Sequence, residues 1–427
     1  MSERIADNLS WSAILQLSKL ELIGTSLIIL SFALLPIGRV VEISTALMAL
    51  SGLLLICKNQ SRLALLNSQS AKFFSVLFAL IWLPMLLSVI GTETLKNSAL
   101  FSFKYLRFFF AGLFILNLLK SSKLRNLVLV GISFTVALWL LDSLLQWIMG
   151  VDLLGRSYIG TRLAGPFSHL TLPVILSLFL TLVLIFTKRY LPNYLFYALF
   201  LLSVLILFLA GSRASWIALL LAGGLYSGYV FFRASNKPIL MFVLLIVGAI
   251  TVGTTGYLID SGFKERIDSA SKLFAGDYES VNQATSLRLP IWEVAAKMAL
   301  DNPLNGVGVR GFRHQYNAYA GPNDPFKATG GAMHPHFFLL EVFVEAGVIG
   351  FLGLLTITVL LVRLAWKNRY QWTPLQAGSA ITIAVTFFPF NTHVSLYGSF
   401  YSQIAWLATA IACAWLFDRQ SSKRKKI

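Results

Sequence analysis

The chain has 427 residues, of which 57% are hydrophobic and 12% are charged, and its mean hydropathy is +0.74. Soluble domains carry about 25% charged residues, so this composition excludes a water-soluble fold and indicates a membrane protein. The net charge of +17 reflects Lys and Arg that flank membrane helices, and no nucleic-acid partner is expected.

Apolar runs of about 20 residues are candidate membrane-spanning helices. The sequence predicts about twelve of them, in an all-α polytopic fold that forms a single integral membrane domain over residues 1–427. Hydropathy and flanking punctuation place them at about 20–37, 40–57, 73–90, 103–119, 127–149, 170–187, 193–210, 213–232, 238–259, 337–362, 373–390 and 400–417.

The orientation is predicted from the distribution of Lys and Arg. The N-terminus has no pattern of a cleavable signal peptide. If it lies in the cytoplasm, every short cytoplasmic connection is basic, as the positive-inside rule requires. We therefore predict a multi-pass membrane protein with both termini in the cytoplasm.

One large hydrophilic segment, residues 260–336, lies between the ninth and tenth predicted spans, on the outer face of the membrane. Within it, "LRLPIWEVAAKMALDN" predicts an amphipathic helix, and "NAYAGPNDPFKATGGAM" predicts a flexible stretch. A shorter outer segment, 150–169, joins the fifth and sixth spans. The apolar stripe of the amphipathic helix consists of Ile291, Ala295, Met298 and Ala299.

Arg213 lies between two apolar runs, directly after Gly211 and Ser212. It could simply extend to the membrane interface. Ser212, however, is a good N-cap for the following helix, and an arginine at a helix N-terminus opposes the helix dipole unless an anion lies between them. A helix N-terminus with a guanidinium is a natural phosphate site.

Further cations occur on the outer face. Arg288 begins the amphipathic helix, where it could also be an ordinary solvated residue. A basic outer pocket attracts pyrophosphate or anionic membrane lipids. The other candidates are Arg156, Arg162, Arg310 and Arg313.

The stretch "HPHFFLLEVFVEAGVIG" places His334 and His336 before the tenth span, and Glu341 and Glu345 on one face of it. In a regular helix Glu345 lies about 13 Å beyond His336, too far to orient it. The glutamates are expected to pair within the bundle, with the partners left open between Lys104 and Arg107. Without a third ligand at suitable spacing, the two histidines predict no metal site.

Four stretches together resemble the O-antigen ligase and polymerase superfamily of bacterial envelope glycosyltransferases. They look like the family's Arg-x-x-Gly-x-Phe segment, its Ser/Thr-Arg segment, its loop pattern ending in Asn-Pro-Leu-x-Gly-x-Gly, and its histidine motif ending in Glu-x-Gly-x-x-Gly. In chain order they are "RLAGPFSH" (162–169), "GSRASWIALL" (211–220), "SLRLPIWEVAAKMALDNPLNGVGVRGF" (286–312) and "HPHFFLLEVFVEAGVIG" (334–350).

The resemblance implies a GT-C-like fold in the bacterial inner membrane, with the outer loop and the active site facing the periplasm, and a reaction without metal or other cofactor. The donor is a glycan on undecaprenyl pyrophosphate, and the acceptor of a ligase is the lipid A–core oligosaccharide. Register assigns His336 to the motif histidine, although this chain has Phe337 where the family often has Asn. The implied accessory residues are His334, Glu345 and His169.

The residues suit this chemistry on independent grounds. Fixed cations stabilise a departing pyrophosphate, and a histidine can accept the proton of a sugar hydroxyl. We predict His336 as general base and Arg213 and Arg288 as catalytic cations, in a reaction that inverts the anomeric configuration. The predicted pyrophosphate ligands are Arg213, Arg288, Arg162 and Arg156.

Several alternatives remain at this point. A polymerase uses the same donor, but the basic outer loop favours a ligase because it suits a phosphorylated core. A protein O-oligosaccharyltransferase is a third candidate. A transporter or lipid flippase is less favoured, because the sequence shows neither paired interrupted helices nor internal symmetry. A purely structural membrane protein would not need the arginines.

Overall fold

The computed structural model describes residues 17–233, 238–259, 261–392 and 394–418. Among these residues the regular elements are all helices, and the β-pairing is limited to two isolated bridges within segment 150–169. The α-helices are α1 (Lys19–Ala33), α2 (Val40–Cys57), α3 (Asn59–Leu66), α4 (Gln69–Leu87), α5 (Leu95–Leu118), α6 (Ser122–Met149), α7 (Leu172–Thr187), α8 (Asn193–Leu209), α9 (Arg213–Arg233), α10 (Pro238–Ile259), α11 (Ser261–Ser271), α12 (Tyr278–Ala284), α13 (Leu289–Asp301), α14 (Phe312–Tyr319), α15 (Phe338–Asn368), α16 (Pro374–Thr386) and α17 (Ser399–Leu416).

Each predicted span falls on a helix. Seven helices of the described chain are long and apolar enough to cross a membrane, namely α2, α4, α5, α6, α9, α15 and α17. Helices α7 and α8 are apolar but shorter, as is the apolar part of α10. The count of twelve therefore stays a prediction. The orientation prediction also rests in part on the two termini, which lie outside the described residues.

Helix α17 lies at the centre of the main hydrophobic core and is buried along almost its whole length. Its Trp406 is 2% exposed, packs against Phe74 and Phe78, and donates a 2.9 Å hydrogen bond from Nε1 to the hydroxyl of Tyr105. A buried indole needs such a partner for its N–H. The polar bond therefore fixes α17 against α5 within an otherwise apolar bundle.

The outer segment forms a second hydrophobic core around α13 and α14. The predicted stripe of α13 is confirmed, because all four of its residues are buried against Phe312, Tyr316 and Val344. The stretch predicted to be flexible instead forms hydrogen-bonded turns: Asp324 accepts bonds from the Tyr316 hydroxyl (3.0 Å) and from the amide of Phe326 (2.8 Å). The outer layer is thus folded onto α15.

Helix α15 is interrupted at Gly347, where φ is +63° and ψ is −162°. The broken backbone bonds are replaced by segment 303–307, since the amide of Val348 donates to the Pro303 carbonyl (2.9 Å) and the Val307 amide donates to that of Val344 (2.8 Å). A Cβ at Gly347 would lie 2.2 Å from the carbonyl oxygen of Leu304. This single break was not predicted from the sequence, and the close contact explains why a glycine occupies the position.

Candidate active site

Arg213 is the first residue of α9, and its guanidinium is directed towards the outer segment. The predicted cap is confirmed, because the amide of Ser215 donates to Ser212 Oγ at 3.3 Å. The guanidinium donates to the carbonyl of Ala284 and, at 3.1 Å, to Ser286 Oγ. Neutral oxygens therefore hold Arg213 in place, and extension towards lipid is not its conformation here.

Arg288 immediately precedes α13 and donates from Nη1 to the carbonyl of Thr392 at 2.9 Å. Burial, followed by the charges of Arg213 and Arg162, lowers the pKa of its guanidinium to about 10. Arg162 also acts electrostatically on Arg213. Arg162, Arg213 and Arg288 thus lie together, and are called the outer arginine group below.

The outer arginine group lacks a counter-charge within the described part of the chain. The ion pairs found there are Arg107 with Glu42 and Arg125 with Asp418, and neither involves the group. Mutual repulsion of partly buried cations is unfavourable unless an anion compensates it. The arrangement is therefore suited to bind a polyanion such as a pyrophosphate.

Arg156 has a different environment from the three grouped arginines. Its guanidinium donates to the carbonyl of Pro166, and its amide donates to Asp152 Oδ1 at 2.6 Å. Its carbonyl accepts a 3.0 Å bond from Gln146 Nε2. These contacts shape segment 150–169. His169 is exposed in the turn before α7. The site roles assigned to Arg156 and His169 remain predictions.

Arg266 of α11 is a residue that the sequence analysis missed. It is 7% exposed and donates from Nη2 to the carbonyl (2.6 Å) and hydroxyl (3.0 Å) of Thr161. Its guanidinium packs on Gly211, where φ is +64° and a Cβ would lie 2.3 Å from Nη1. Arg266 therefore joins the residue before Arg162 to the turn before Arg213. The polar sequence "FKERID" gave no sign of burial, and the available local signal is Gly211, since a glycine permits the close approach of another group.

The two histidines contact one another before α15, with ring centroids 3.8 Å apart and the ring planes tilted by 42°. Two side chains of the outer segment hold the backbone around them: Trp292 Nε1 donates to the carbonyl of Pro335 (2.9 Å), and Arg313 Nη2 donates to that of Met333 (3.1 Å). The helices α13 and α14 thus position the histidines at the outer end of α15.

His334 is a neutral base in this environment. Burial, followed by the nearby charges of His336, Arg313, Arg310 and Arg288, lowers its pKa to about 3. Its Nε2 is buried and has no hydrogen-bond partner among the described residues. The outer arginine group and the histidine pair therefore lie close enough to influence one another, with Arg288 as the link.

The glutamates of α15 have backbone partners. Glu341 accepts bonds from the Ser395 hydroxyl and, at 2.9 Å, from the Leu396 amide. Glu345 Oε2 accepts a 2.8 Å bond from the amide of Arg310. Lys104 and Arg107 were left open as possible partners, but Arg107 faces Glu42 at 4.0 Å, and the located bonds of both glutamates go to Ser395 and to backbone amides. Both carboxylates instead fix surrounding loops on α15.

Backbone strain is concentrated at this site. Four non-glycine residues of the described chain have positive φ, and all of them adjoin the arginines or the histidines. Such conformations cost roughly 1–3 kcal/mol each and persist where the surrounding structure enforces them. They are Ser286 (+62°), Leu287 (+61°), Arg310 (+65°) and His336 (+54°).

Within the described ranges, no group of three or more His, Cys, Asp or Glu side chains is arranged to hold a metal ion. The charges available to a bound anion are those of the arginines.

Two comparisons with known proteins cover part of the chain. Residues 198–355 match the family model described as O-antigen ligase, a region that includes Arg213, Arg288 and both histidines. A protein of Haemophilus influenzae is 25% identical over 187 residues, 42% of this chain and 45% of the relative. The chain thus matches less than half the length of that relative.

These findings support the O-antigen ligase and polymerase superfamily, whose members are glycosyltransferase-like membrane enzymes. The apolar helices and the family match indicate a multi-pass membrane protein.

Proposed function

We propose that the protein is an O-antigen ligase of the bacterial inner membrane. It transfers a glycan from undecaprenyl pyrophosphate to the lipid A–core oligosaccharide at the periplasmic face. The observation that carries this proposal is the outer arginine group, which has no carboxylate partner among the described residues and lies beside a neutral histidine.

The outer arginine group binds the pyrophosphate of the donor. Negative charge grows on the bridging oxygen as the anomeric bond breaks, and fixed cations stabilise that charge most when they need no reorganisation. The carbonyls of Ala284 and Thr392 hold two of the guanidinium groups in position without cancelling their charge. The group therefore stabilises the leaving pyrophosphate more than the intact donor.

His336 accepts the proton of the acceptor hydroxyl. The hydroxyl oxygen attacks the anomeric carbon, the bond from that carbon to the pyrophosphate oxygen breaks, and undecaprenyl pyrophosphate leaves with the electron pair. Attack from the face opposite the leaving group inverts the anomeric configuration. His334, kept neutral by burial and surrounding cations, packs against His336 and limits the positions its ring can take.

The deciding experiment is transfer by the purified full-length protein in nanodiscs. Undecaprenyl-pyrophosphate glycan is supplied with either lipid A–core or a second lipid-linked glycan unit, and products are identified by mass spectrometry. Product with lipid A–core supports the ligase. Product only with the second glycan identifies a polymerase, and no product with either acceptor overturns the transferase proposal.

A further inference from the structure

We propose that Arg310 and Arg313 form a second anion subsite, which binds a phosphate or carboxylate carried by the acceptor sugar. The inference rests on the transfer reaction proposed above, and it concerns the acceptor rather than the donor. It assigns a binding role to two cations that the donor site does not use.

The fold fixes Arg310 through its backbone. The amide donates to Glu345 Oε2 at 2.8 Å, and φ of +65° sets the direction of the chain. The guanidinium lies over the ring of Phe101, 5.4 Å from its centroid. A cation–π contact orients a guanidinium, and its N–H groups stay able to bind an anion that lies in the plane of the guanidinium.

Arg313 lies three residues further on, in the first turn of α14. Its Nη2 donates to the Met333 carbonyl at 3.1 Å, so the side chain lies against the histidine segment. Its Nε is buried and has no hydrogen-bond partner among the described residues. A buried donor without a partner is costly, and a bound anion would satisfy it.

The carboxylates near this pair do not occupy its guanidinium groups. Glu341 and Glu345 act on Arg313 electrostatically, but their located bonds are to Ser395, to backbone amides of 396 and 397, and to the amide of Arg310. Neither arginine forms an ion pair within the described chain. Their side-chain donors therefore remain available.

The histidine segment separates this pair from the donor site. Arg313 bonds to Met333, whereas Trp292, one turn after Arg288, bonds to Pro335. In an inverting transfer the nucleophile arrives opposite the leaving group. If the pyrophosphate lies at the outer arginine group, the body of the acceptor extends past the histidines towards Arg310 and Arg313.

The first test measures binding of acceptor without donor. The full-length protein in nanodiscs is titrated with lipid A–core oligosaccharide that is intact, dephosphorylated, or has its carboxylates converted to methyl amides. We expect one charge-removing treatment to raise Kd about tenfold, the scale of one charge-assisted hydrogen bond. The treatment that does so identifies phosphate or carboxylate as the ligand group.

The double variant Arg310→Gln with Arg313→Gln tests the residues. It should weaken binding of the intact acceptor about tenfold and leave binding of the neutralised acceptor unchanged, because the ligand then lacks the interacting charge. Lys297→Gln, which removes an exposed cation of α13, is the matched control. It should leave the Kd of both the intact and the neutralised acceptor unchanged. Equal weakening of both acceptors, or of neither, overturns the subsite.

Two further results separate this inference from the proposed function. Binding is measured without turnover, so the subsite is tested even if no transfer is observed. If the double variant is not recovered folded, the native protein decides: salt should weaken binding of the intact acceptor but not of the neutralised one. Binding that is equally insensitive to salt for both acceptors overturns the subsite.

Discussion

Arginines at two ends of the bundle have opposite surroundings. Arg125, at the start of α6, has a side chain only 6% exposed, which pairs with Asp418 at 3.0 Å and donates to the carbonyls of Leu119 and Lys120. Its guanidinium also lies over the ring of Trp415. In the outer arginine group, the guanidinium groups of Arg213 and Arg288 donate to neutral oxygens of the described chain.

The difference separates two uses of one residue type. The counter-charge of Arg125 is part of the fold, so that arginine needs no ligand. In the outer group, carbonyl and hydroxyl oxygens orient two of the three guanidinium groups while their charges stay uncompensated. Uncompensated charge at fixed positions, rather than the number of arginines, is what distinguishes a candidate anion site from a structural ion pair.

The largest expected effect comes from reversing a charge in the outer group. Arg213→Glu should reduce kcat/KM for transfer by at least about 10³-fold, because it removes a pyrophosphate contact and adds repulsion. Arg213→Lys keeps the charge but cannot donate two parallel hydrogen bonds to one phosphate. It should therefore reduce kcat/KM by a smaller factor. Steady-state transfer assays check both, with Lys297→Glu as a control for charge reversal on the outer surface. If Arg213→Glu bound the donor as well as the native protein, the outer arginine group would not be the pyrophosphate site.

The next effect is expected at the histidines. His336→Ala should reduce kcat about 10²- to 10³-fold with little change in donor KM, as loss of a general base does. His334→Ala should cost less, since its proposed role is to restrict the His336 ring. Parallel kinetic measurements of the two variants test the assignment. A larger loss in His334→Ala would exchange their roles.

Removing Arg125, whose counter-charge is Asp418, should affect stability and not transfer. Arg125→Met breaks a buried pair and should lower the free energy of unfolding by about 3–5 kcal/mol. Transfer per folded molecule should stay within about twofold of the native rate, because the site is at the other end. Thermal unfolding and transfer are measured on the same preparation. A catalytic loss without a stability loss would contradict the division between the two ends.

The smallest effect is a pH dependence. The pKa of His334 is lowered from 6.5 to about 3 by burial and nearby cations, so protonation favours the unfolded state. Its contribution to stability is complete above pH 6.5 and declines as the pH falls from 6.5 towards 3. His334→Asn should therefore make the melting temperature less sensitive to acid over this range. An unchanged acid sensitivity would show that other groups dominate.

Local patterns were sufficient to predict much of the helix layout. Hydropathy located the apolar helices, and periodicity found the buried stripe of α13, because both depend on neighbours in sequence. The cap formed by Ser212 is similarly local. Motif spacing also selected the three residues of the outer arginine group, although their mutual proximity depends on how α9, α13 and segment 150–169 pack together.

Features that depend on distant segments could not be predicted. The partners of Glu341 are the hydroxyl of Ser395 and the amides that follow it, and composition carries no information about such backbone groups. The break at Gly347 depends on an approach by Leu304, and the burial of Arg266 depends on Thr161. Each case requires knowledge of which loop meets which helix.

The break in α15 makes the membrane helix and the outer segment dependent on each other during assembly. A helix interrupted in hydrocarbon exposes amides and carbonyls that lipid cannot satisfy, and segment 303–307 supplies the missing partners. The two must therefore be exchanged as one block when chimaeras with relatives are made. A junction placed between residues 307 and 338 would combine segment 303–307 of one protein with the broken helix of another, and the hydrogen bonds between the two backbones could be lost.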